Sequence, residues 1–408
     1  MSKTMNPRRH DIDALRVLAL AVLILYHIGM YYVANWGWHI KSAITYEWLQ
    51  DVMILTNPWR MSLLFFISGV AIANALANAL ACNKYSAAKL VALKSQRLFI
   101  PLLFGMFVIV SPQVYFEALS QNLIEPDFWQ FWLAYINPTT TLLSEHHSTI
   151  GLLTWNHLWF LPYLWVYSII VILFRQPITS LANARWLKQV PLGLMLLFCM
   201  SALIAIWWAL SASYPSTHSL IDDWYNHGKY FFVFLIGLVF AMQQNWWQSI
   251  TNYRLVILAI ALCCYAFIIA DRHGVWATLA DLYQTNLSVK LFYAVIHSAN
   301  HWLWIFAVVG FAGYYLNQKS TFISYANRAV LPYYMLHQTL IIVFAWWLKS
   351  LAIHPIIESL ILLVLTVTGC YLGYELIKRS MVLSMLFGTT KKTPKPAIQR
   401  APQLASPN

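Results

Sequence analysis

Two side chains that could do chemistry belong to the first apolar segment of the chain, RVLALAVLILYH, which runs from Arg16 to His27. Eleven residues of α-helix make about three complete turns, so both side chains fall on one face, roughly 16 Å apart along the axis. A guanidinium can bind the phosphates of a substrate, and an imidazole can act as a general base. The alternative is an arginine anchored at the membrane surface and a histidine hydrogen-bonded to a neighbouring helix.

A second basic site stands where the segment LFIPLLFG begins. Lys94 and Arg97 are three residues apart and therefore share one helical face. Their position favours an extension of the basic site at Arg16. The alternative is that they serve only membrane topology, because basic residues concentrate on the cytoplasmic side of membrane proteins.

Further polar side chains interrupt other apolar segments. Residues of this kind inside membrane helices usually face the bundle interior or a cavity and mark function, so they predict a polar cavity built by several helices. They are Arg60, His157, Asn300, His301 and His337. His297 and His301 are four residues apart and could supply two metal ligands, but no inward-facing carboxylate completes the set, so we expect no metal.

The elements that must position these residues are membrane helices. The chain has 408 residues, 60% of them hydrophobic and only 10% charged, whereas soluble domains carry about 25% charged residues. Runs of about 20 apolar residues predict an all-α polytopic bundle of about ten transmembrane helices. The runs cover residues 16–36, 59–81, 98–116, 156–174, 190–211, 229–245, 254–271, 290–316, 329–349 and 356–377.

The charge distribution predicts the orientation and the domain limits. With the N-terminus inside, most of the 26 Lys and Arg residues fall on the inner side, so both termini are expected in the cytoplasm. These charges form no continuous stripe, which argues against a nucleic-acid partner. We expect one transmembrane domain over residues 1–388 and a polar, proline-rich disordered cytoplasmic tail over 389–408. Ser68 and Gly69 predict a close helix–helix approach.

Two loops predicted on the outer side combine aromatic rings with carboxylates. They lie between Glu117 and Trp155 and in the segment SASYPSTHSLIDDWYNHG, which contains Asp222 and Asp223. Flat rings can stack on pyranose faces while carboxylates accept hydroxyl protons, so a saccharide-binding surface is one interpretation. The other is an aromatic belt at the membrane interface.

Several of these segments resemble one known family. RRHDIDALRVLALAVLILYH resembles the opening signature of the acyltransferase-3 family, an Arg followed after ten residues by a His on the first helix. LKSQRLFIPLLFG is similar to the family's basic pair, usually Arg-x-x-Arg and here Lys94 and Arg97. LLFFISGVA, NHLWFLPYLWVYS and ISYANRAVLPYYMLHQTLII resemble the glucans biosynthesis protein C branch of that family.

This resemblance implies a multi-pass enzyme of the bacterial inner membrane, in contact with membrane lipid. It would move an acyl group, acetyl or succinyl, from cytoplasmic acyl-CoA to a hydroxyl of a glycan or other acceptor on the far side. His27 and Arg16 would be the catalytic pair, with His27 as the base. Arg16, Lys94 and Arg97 would hold the CoA phosphates. Lysine at position 94 keeps the charge but loses bidentate geometry.

The remaining polar residues receive secondary roles. We expect Arg60, His157, Asn300, His301 and His337 to contact substrate, and Arg60, His301 or His337 could stabilise an oxyanion. The alternative function is a transporter or flippase of a glycan or lipid-linked substrate that uses the same polar cavity, although no repeated halves with paired broken helices are visible. No feature of the sequence indicates an oligomeric state.

Overall fold

The computed structural model describes residues 9–81, 86–148 and 150–389, and over these residues it contains α-helices, short 3₁₀ and π turns, and no β-sheet. The prediction of an all-α bundle is confirmed. The helices are α1 (His10–Tyr32), α2 (Trp48–Thr56), α3 (Arg60–Ala81), α4 (Ala87–Phe104), α5 (Ser111–Ser120), α6 (Phe128–Tyr135), α7 (Phe160–Leu173), α8 (Arg175–Ala182), α9 (Leu192–Leu210), α10 (Trp224–Phe240), α11 (Gln244–Asn252), α12 (Arg254–Arg272), α13 (Ala277–Leu282), α14 (Leu287–Tyr315), α15 (Thr321–Lys349), α16 (Pro355–Ile377) and α17 (Met381–Leu386).

Nine helical segments among the described residues are long and apolar enough to cross a membrane, by length and composition, where the sequence predicts ten. The difference is the run predicted at 229–245, which forms α10. This helix has 17 residues and is about 26 Å long, shorter than the roughly 30 Å hydrocarbon core of a bilayer. The protein is a multi-pass membrane protein.

The helix α1 lies inside the bundle. It packs against α3, α14, α15 and α16, which hold most of the other polar residues singled out in the sequence. In contrast, α9 and α12 lie at the periphery, since only 17% of the most apolar stretch of each is buried, against 67% for α14. We call the end of the bundle where α1 begins the basic end.

Glycine permits the closest approach in the bundle. A Cβ atom on Gly69 would lie 1.9 Å from the carbonyl oxygen of Phe234, and one on Gly237 would lie 2.1 Å from the carbonyl oxygen of Phe66. The backbones of α3 and α10 are therefore in direct contact at these two positions. The predicted close approach at Gly69 is confirmed, and it fixes α3, which begins at Arg60.

The helix that contains the third apolar run begins earlier than the run itself predicts. Helix α4 starts at Ala87 rather than near residue 98, because the hydroxyl of Ser86 caps it by accepting a hydrogen bond from the Lys89 amide at 3.2 Å. Lys94 and Arg97 are consequently inside the helix and not before it. A π turn over residues 105–109 then joins α4 to α5.

The end of the described chain returns to the basic end. Helix α17 packs against α4, and a Cβ atom on Gly388 would lie 2.6 Å from the carbonyl oxygen of Arg97. Thr389 is held by a hydrogen bond from its amide to the Ser384 carbonyl at 2.8 Å. The rest of the predicted disordered tail lies outside the described residues.

Candidate active site

A cavity of about 300 Å³ opens at the basic end between α1, α3, α4, α7 and α15. Four cationic side chains line it, and among the described residues no acidic side chain does. They are Arg16, Lys94, Arg97 and Arg328. The structure therefore brings together the three predicted phosphate-binding residues and adds a fourth, in what we call the basic cavity.

Arg16 is oriented by neighbours on two helices. Its guanidinium lies 3.4 Å from the carboxylate of Asp13, one turn earlier on α1, and its side chain is 30% exposed. The same carboxylate accepts a hydrogen bond from the amide of Asn327 on α15 at 2.8 Å. Arg16 is thus anchored at the rim of the basic cavity while part of it remains accessible to a ligand.

Deeper in the bundle, His27 pairs with His337 from α15. The Nδ1 atom of His27 lies 2.9 Å from Nε2 of His337, and the rings stack with centroids 5.0 Å apart. On its other side, Nδ1 of His337 lies 2.7 Å from the carbonyl oxygen of Tyr334 and 3.1 Å from that of Tyr333.

These contacts determine the tautomers of both rings. A carbonyl oxygen only accepts, so His337 carries its proton on Nδ1 and its Nε2 is an acceptor. His27 must then donate from Nδ1, which leaves its own Nε2 with a free lone pair. A neutral imidazole in this tautomer is oriented as a general base by its partner.

A third imidazole, His157, completes what we call the histidine cluster. Its ring lies edge-on to that of His337, with centroids 5.3 Å apart. Its Nε2 donates to the Tyr334 carbonyl at 3.1 Å, and its Nδ1 accepts from the side-chain amide of Gln113 at 3.1 Å. Both nitrogens are occupied, so His157 holds the cluster in place and has no lone pair left for a substrate.

Arg60 lies beside the cluster with unused donors. Its guanidinium carbon sits 3.4 Å from the ring centroid of Tyr26, the residue before His27. The side chain is buried, yet its Nε and Nη1 have no hydrogen-bond partner among the described residues. Arg60 is also one of the chargeable groups close enough to His27 to interact with it electrostatically. A buried guanidinium with unpaired N–H groups is suited to an incoming anionic oxygen.

The basic cavity leads toward the histidine cluster along four helices. On α1, α3, α7 and α15 the lining ends at Leu23, Leu64, Phe160 and Tyr334, respectively. Three or four residues farther from the basic end, which is one helical turn, stand His27, Arg60, His157 and His337. A molecule bound at the basic end and extending along these faces therefore points at the cluster.

A chain of hydrogen bonds supports the cluster from the opposite end of the bundle. Gln113 Oε1 accepts from the amide of Gln338 at 3.2 Å, and this amide also lies 3.0 Å from Nε2 of His39. Nδ1 of His39 in turn donates to the carboxylate of Glu117 at 2.5 Å. Such a connected set fixes the orientation of each member, and through Gln113 it reaches His157.

The π turn over residues 105–109 is bound to this network by hydrogen bonds. Its backbone carbonyls are not all used within the helix, and side chains from elsewhere occupy them. The hydroxyl of Thr339 donates to Ile109 O at 2.6 Å, and that of Tyr135 donates to Met106 O at 2.9 Å. Thr339 also accepts from Gln113 at 2.7 Å, so the turn is tied directly to the network.

Two predicted residues lie apart from the cluster. Asn300 and His301 are buried in α14, and the Asn300 Oδ1 and His301 Nε2 atoms have no hydrogen-bond partner among the described residues. His301, together with His297, lines a different cavity. The structure therefore divides the polar residues predicted for one site between two places.

Sequence reasoning missed several residues of the site. Arg328 and the network residues Gln113, Gln338 and His39 were not singled out from the sequence. Two of these residues could have been recognised in the sequence, because Gln113 and Gln338 are amides inside apolar runs and Gln338 directly follows His337. For Arg328 and His39 the sequence carries no comparable signal.

Two carboxylates of the aromatic loops are engaged within the protein. Asp223 is buried and accepts hydrogen bonds from the hydroxyl of Tyr163, the amide of Asn226 and the backbone of Thr217 and His218. Glu117 is bound to His39 in the network described above. These two carboxylates therefore organise structure and do not present free acceptors to a ligand.

Comparison with known proteins identifies the family of the chain. The family model described as an acyltransferase domain matches residues 9–375. Curated proteins named Glucans biosynthesis protein C, from Salmonella paratyphi B and from Salmonella enteritidis PT4, are each 24% identical over 399 residues, which is 95% of this chain and 96% of theirs. No solved structure matches the chain. Because the family model covers most of its length, the chain belongs to the acyltransferase-3 family.

Proposed function

We propose that this membrane acyltransferase moves a short acyl group from cytoplasmic acyl-CoA to a hydroxyl of a glycan on the far side of the bacterial inner membrane. The observation that carries the proposal is the alignment of the basic cavity with the histidine cluster one turn beyond it. Membership of the acyltransferase-3 family favours an enzyme over a transporter or flippase built on the same polar groups. The name of the Salmonella relatives is the reason for proposing a glucan as the acceptor.

The donor would bind at the basic cavity. Four cations around one cavity suit the several phosphates of CoA, with Arg16, Lys94 and Arg97 as the predicted ligands and Arg328 as an added one. The pantetheine arm would extend past Leu20 and Leu23 toward His27. The acyl group, acetyl or succinyl by the family resemblance, would then lie beyond the cavity lining, beside the histidine cluster.

The transfer step follows from the tautomers of the cluster. The acceptor hydroxyl gives its proton to Nε2 of His27 while its oxygen attacks the thioester carbonyl. Arg60 would stabilise the oxyanion with its unpaired N–H groups. When the tetrahedral intermediate collapses, the C–S bond breaks, the ester C–O bond remains, and the His27 imidazolium returns the proton to the thiolate of CoA.

The test replaces His27 by Ala in the purified, membrane-inserted protein. Release of CoA from acetyl-CoA and succinyl-CoA is measured by liquid chromatography, with and without a glucose oligosaccharide. Loss of a general base costs about 10²- to 10⁴-fold in rate. The matched control is His146→Ala, because His146 is exposed on a loop remote from the cluster.

Two results would refute the proposal. A folded His27→Ala protein that transfers the acyl group at the native rate would remove His27 as the base. A wild-type protein that neither binds nor consumes acyl-CoA would favour the transporter, since a permeation pathway has no use for the thioester.

A further inference from the structure

A second and larger cavity, of about 560 Å³, lies between α9, α10, α13 and α14. Its lining includes Trp207 in the last turn of α9, Tyr225 and Lys229 in the first turns of α10, and Asp271 in the last turn of α12. A Cβ atom on Gly313, near the end of α14, would lie 3.8 Å from the carboxylate of Asp11 at the start of α1. The first turns of α14, which contribute Tyr293 to this cavity, therefore lie opposite the basic end. We call this the aromatic cavity.

Two polar groups in this cavity have no partner. His301 is 3% exposed and its Nε2 makes no hydrogen bond among the described residues. Lys229 is 5.1 Å from the ring centroid of Tyr230 and has neither a hydrogen-bonded nor an ionic partner in the described part of the chain. Burying Nε2 of His301 without a partner is costly, which indicates that a bound molecule satisfies it. Lys229 is half-buried and presents its ammonium to the same cavity.

The two groups differ in what they require. Pro58 lines the cavity beside His301, and Nε2 is the nitrogen of His301 that is buried without a partner among the described residues. With the imidazole proton on Nδ1, this Nε2 holds a lone pair and needs a donor, whereas the ammonium of Lys229 needs an acceptor. A hydroxyl can do both, but an ionised phosphate diester has no hydrogen to donate.

The remaining lining fits a ligand with flat apolar faces and polar edges. The rings of Trp207, Tyr225, Tyr283 and Tyr293 contribute to the wall. Asp271 accepts from the Tyr293 hydroxyl at 2.5 Å and so keeps a fixed carboxylate at the same wall. Aromatic rings can cover the C–H faces of a pyranose, while its hydroxyls reach the polar groups between the rings.

The aromatic cavity adjoins the histidine cluster without being part of it. Pro58 lines the cavity and contacts His301. Two residues later, Arg60 packs on the ring of Tyr26 beside His27. The short segment from Pro58 to Arg60 thus separates the two sites, so one molecule with several similar units could occupy both.

We propose that the aromatic cavity is a subsite for a neutral hexose unit of the acceptor saccharide, distinct from the unit whose hydroxyl reacts. Lys229 donates to one hydroxyl, His301 Nε2 accepts from another, and the aromatic rings stack on the sugar. The assignment of the saccharide as acceptor rests on the proposed function, whereas the binding of a hexose in this cavity does not require acyl transfer.

The experiment measures binding in the absence of any acyl donor. The full-length protein in detergent is titrated with a linear glucose oligosaccharide by isothermal calorimetry. Lys229→Met and His301→Leu each raise the dissociation constant at least tenfold, because each removes one buried hydrogen bond. His301→Gln, whose amide oxygen also accepts, remains within about threefold of wild type. The control Lys349→Met, at an exposed lysine at the end of α15, has no effect.

Competition distinguishes a sugar from an anion. Inorganic phosphate and nanodiscs containing phosphatidylglycerol leave oligosaccharide binding unchanged. Displacement by either one, or absence of oligosaccharide binding to the wild-type protein, overturns the proposal. So does an unchanged dissociation constant in folded Lys229→Met and His301→Leu proteins.

Turnover separates this inference from the proposed function. In the acyl-transfer assay both variants raise KM for the oligosaccharide, while kcat and the KM for acyl-CoA stay close to wild type. Binding as expected with no transfer by any variant would refute the proposed function and leave the subsite intact. Transfer with an unchanged oligosaccharide KM in both variants would refute the subsite and leave the function intact.

Discussion

The bond from His27 to His337 yields the sharpest prediction, because it determines which nitrogen of His27 is free. Replacing His337 by Leu removes the acceptor of the proton on Nδ1 of His27. It also places an apolar side chain in the fully buried position that His337 occupies. His27 then has a buried donor without a partner and no longer favours the tautomer with a free Nε2 lone pair. The bound substrate remains in place, so we expect kcat to fall.

The magnitude follows from the cost of an unsatisfied buried hydrogen-bonding group, about 1–3 kcal/mol. At 1.36 kcal/mol per factor of ten, kcat falls about 5- to 150-fold. His337→Gln is the matched variant, since its Oε1 can stand near the position of Nε2 and accept the same proton. We expect it to retain most of the activity lost in His337→Leu.

The assay is steady-state release of CoA from acetyl-CoA in the presence of a glucose oligosaccharide. The KM for acetyl-CoA should be the same in both variants, because the basic cavity is unchanged. If folded His337→Leu has wild-type kcat, the imidazole pair has no role in turnover. If His337→Gln is as impaired as His337→Leu, the role of His337 is packing and not the orientation of His27.

Two further predictions concern the donor and the helix packing. Lys94→Ala and Arg97→Ala should each raise the KM for acyl-CoA about 10- to 100-fold, since a hydrogen bond to a charged group contributes about 1.5–3 kcal/mol. Lys94→Arg should restore the wild-type KM. The control is Lys89→Ala, which lies outside the cavity lining, and an equal rise in its KM would contradict the prediction. Gly69→Ala should destabilise the protein by at least about 1–3 kcal/mol, because the methyl group would meet a backbone carbonyl at 1.9 Å. Thermal unfolding in detergent measures this, with Gly193→Ala, where nothing lies within 4 Å, as a control that should be neutral.

Much of the fold could be predicted because its signals are local. Long apolar runs specify membrane helices on length and composition alone, and nine of the ten predicted spans reappear as such. The remaining one, α10, has only 17 residues, and its close contact with α3 through Gly69 and Gly237 depends on a partner distant in sequence. The start of α4 was not predicted from the apolar run either, because this helix extends beyond its apolar portion to the cap at Ser86.

For the site, the sequence by itself determined which side chains occupy one face of one helix. The placement of Arg16 and His27 follows from the period of the α-helix, and the structure puts the first at the basic cavity and the second one turn beyond its lining. Their assignment to donor binding and base catalysis stays a prediction. Lys94 and Arg97 were likewise predicted from their spacing on one helical face, and the structure places them in the same cavity as Arg16.

Only the tertiary structure decided which polar residues meet. His337, 310 residues from His27 along the chain, became its partner, and the carbonyl of Tyr334 then selected the tautomer of both rings. His301, which the sequence made an equally plausible member of the site, lines a different cavity, and Arg328 lines the basic cavity. The physical reason is that helical periodicity fixes a side chain's direction relative to its own helix, whereas its neighbours depend on how that helix is rotated and packed within the bundle.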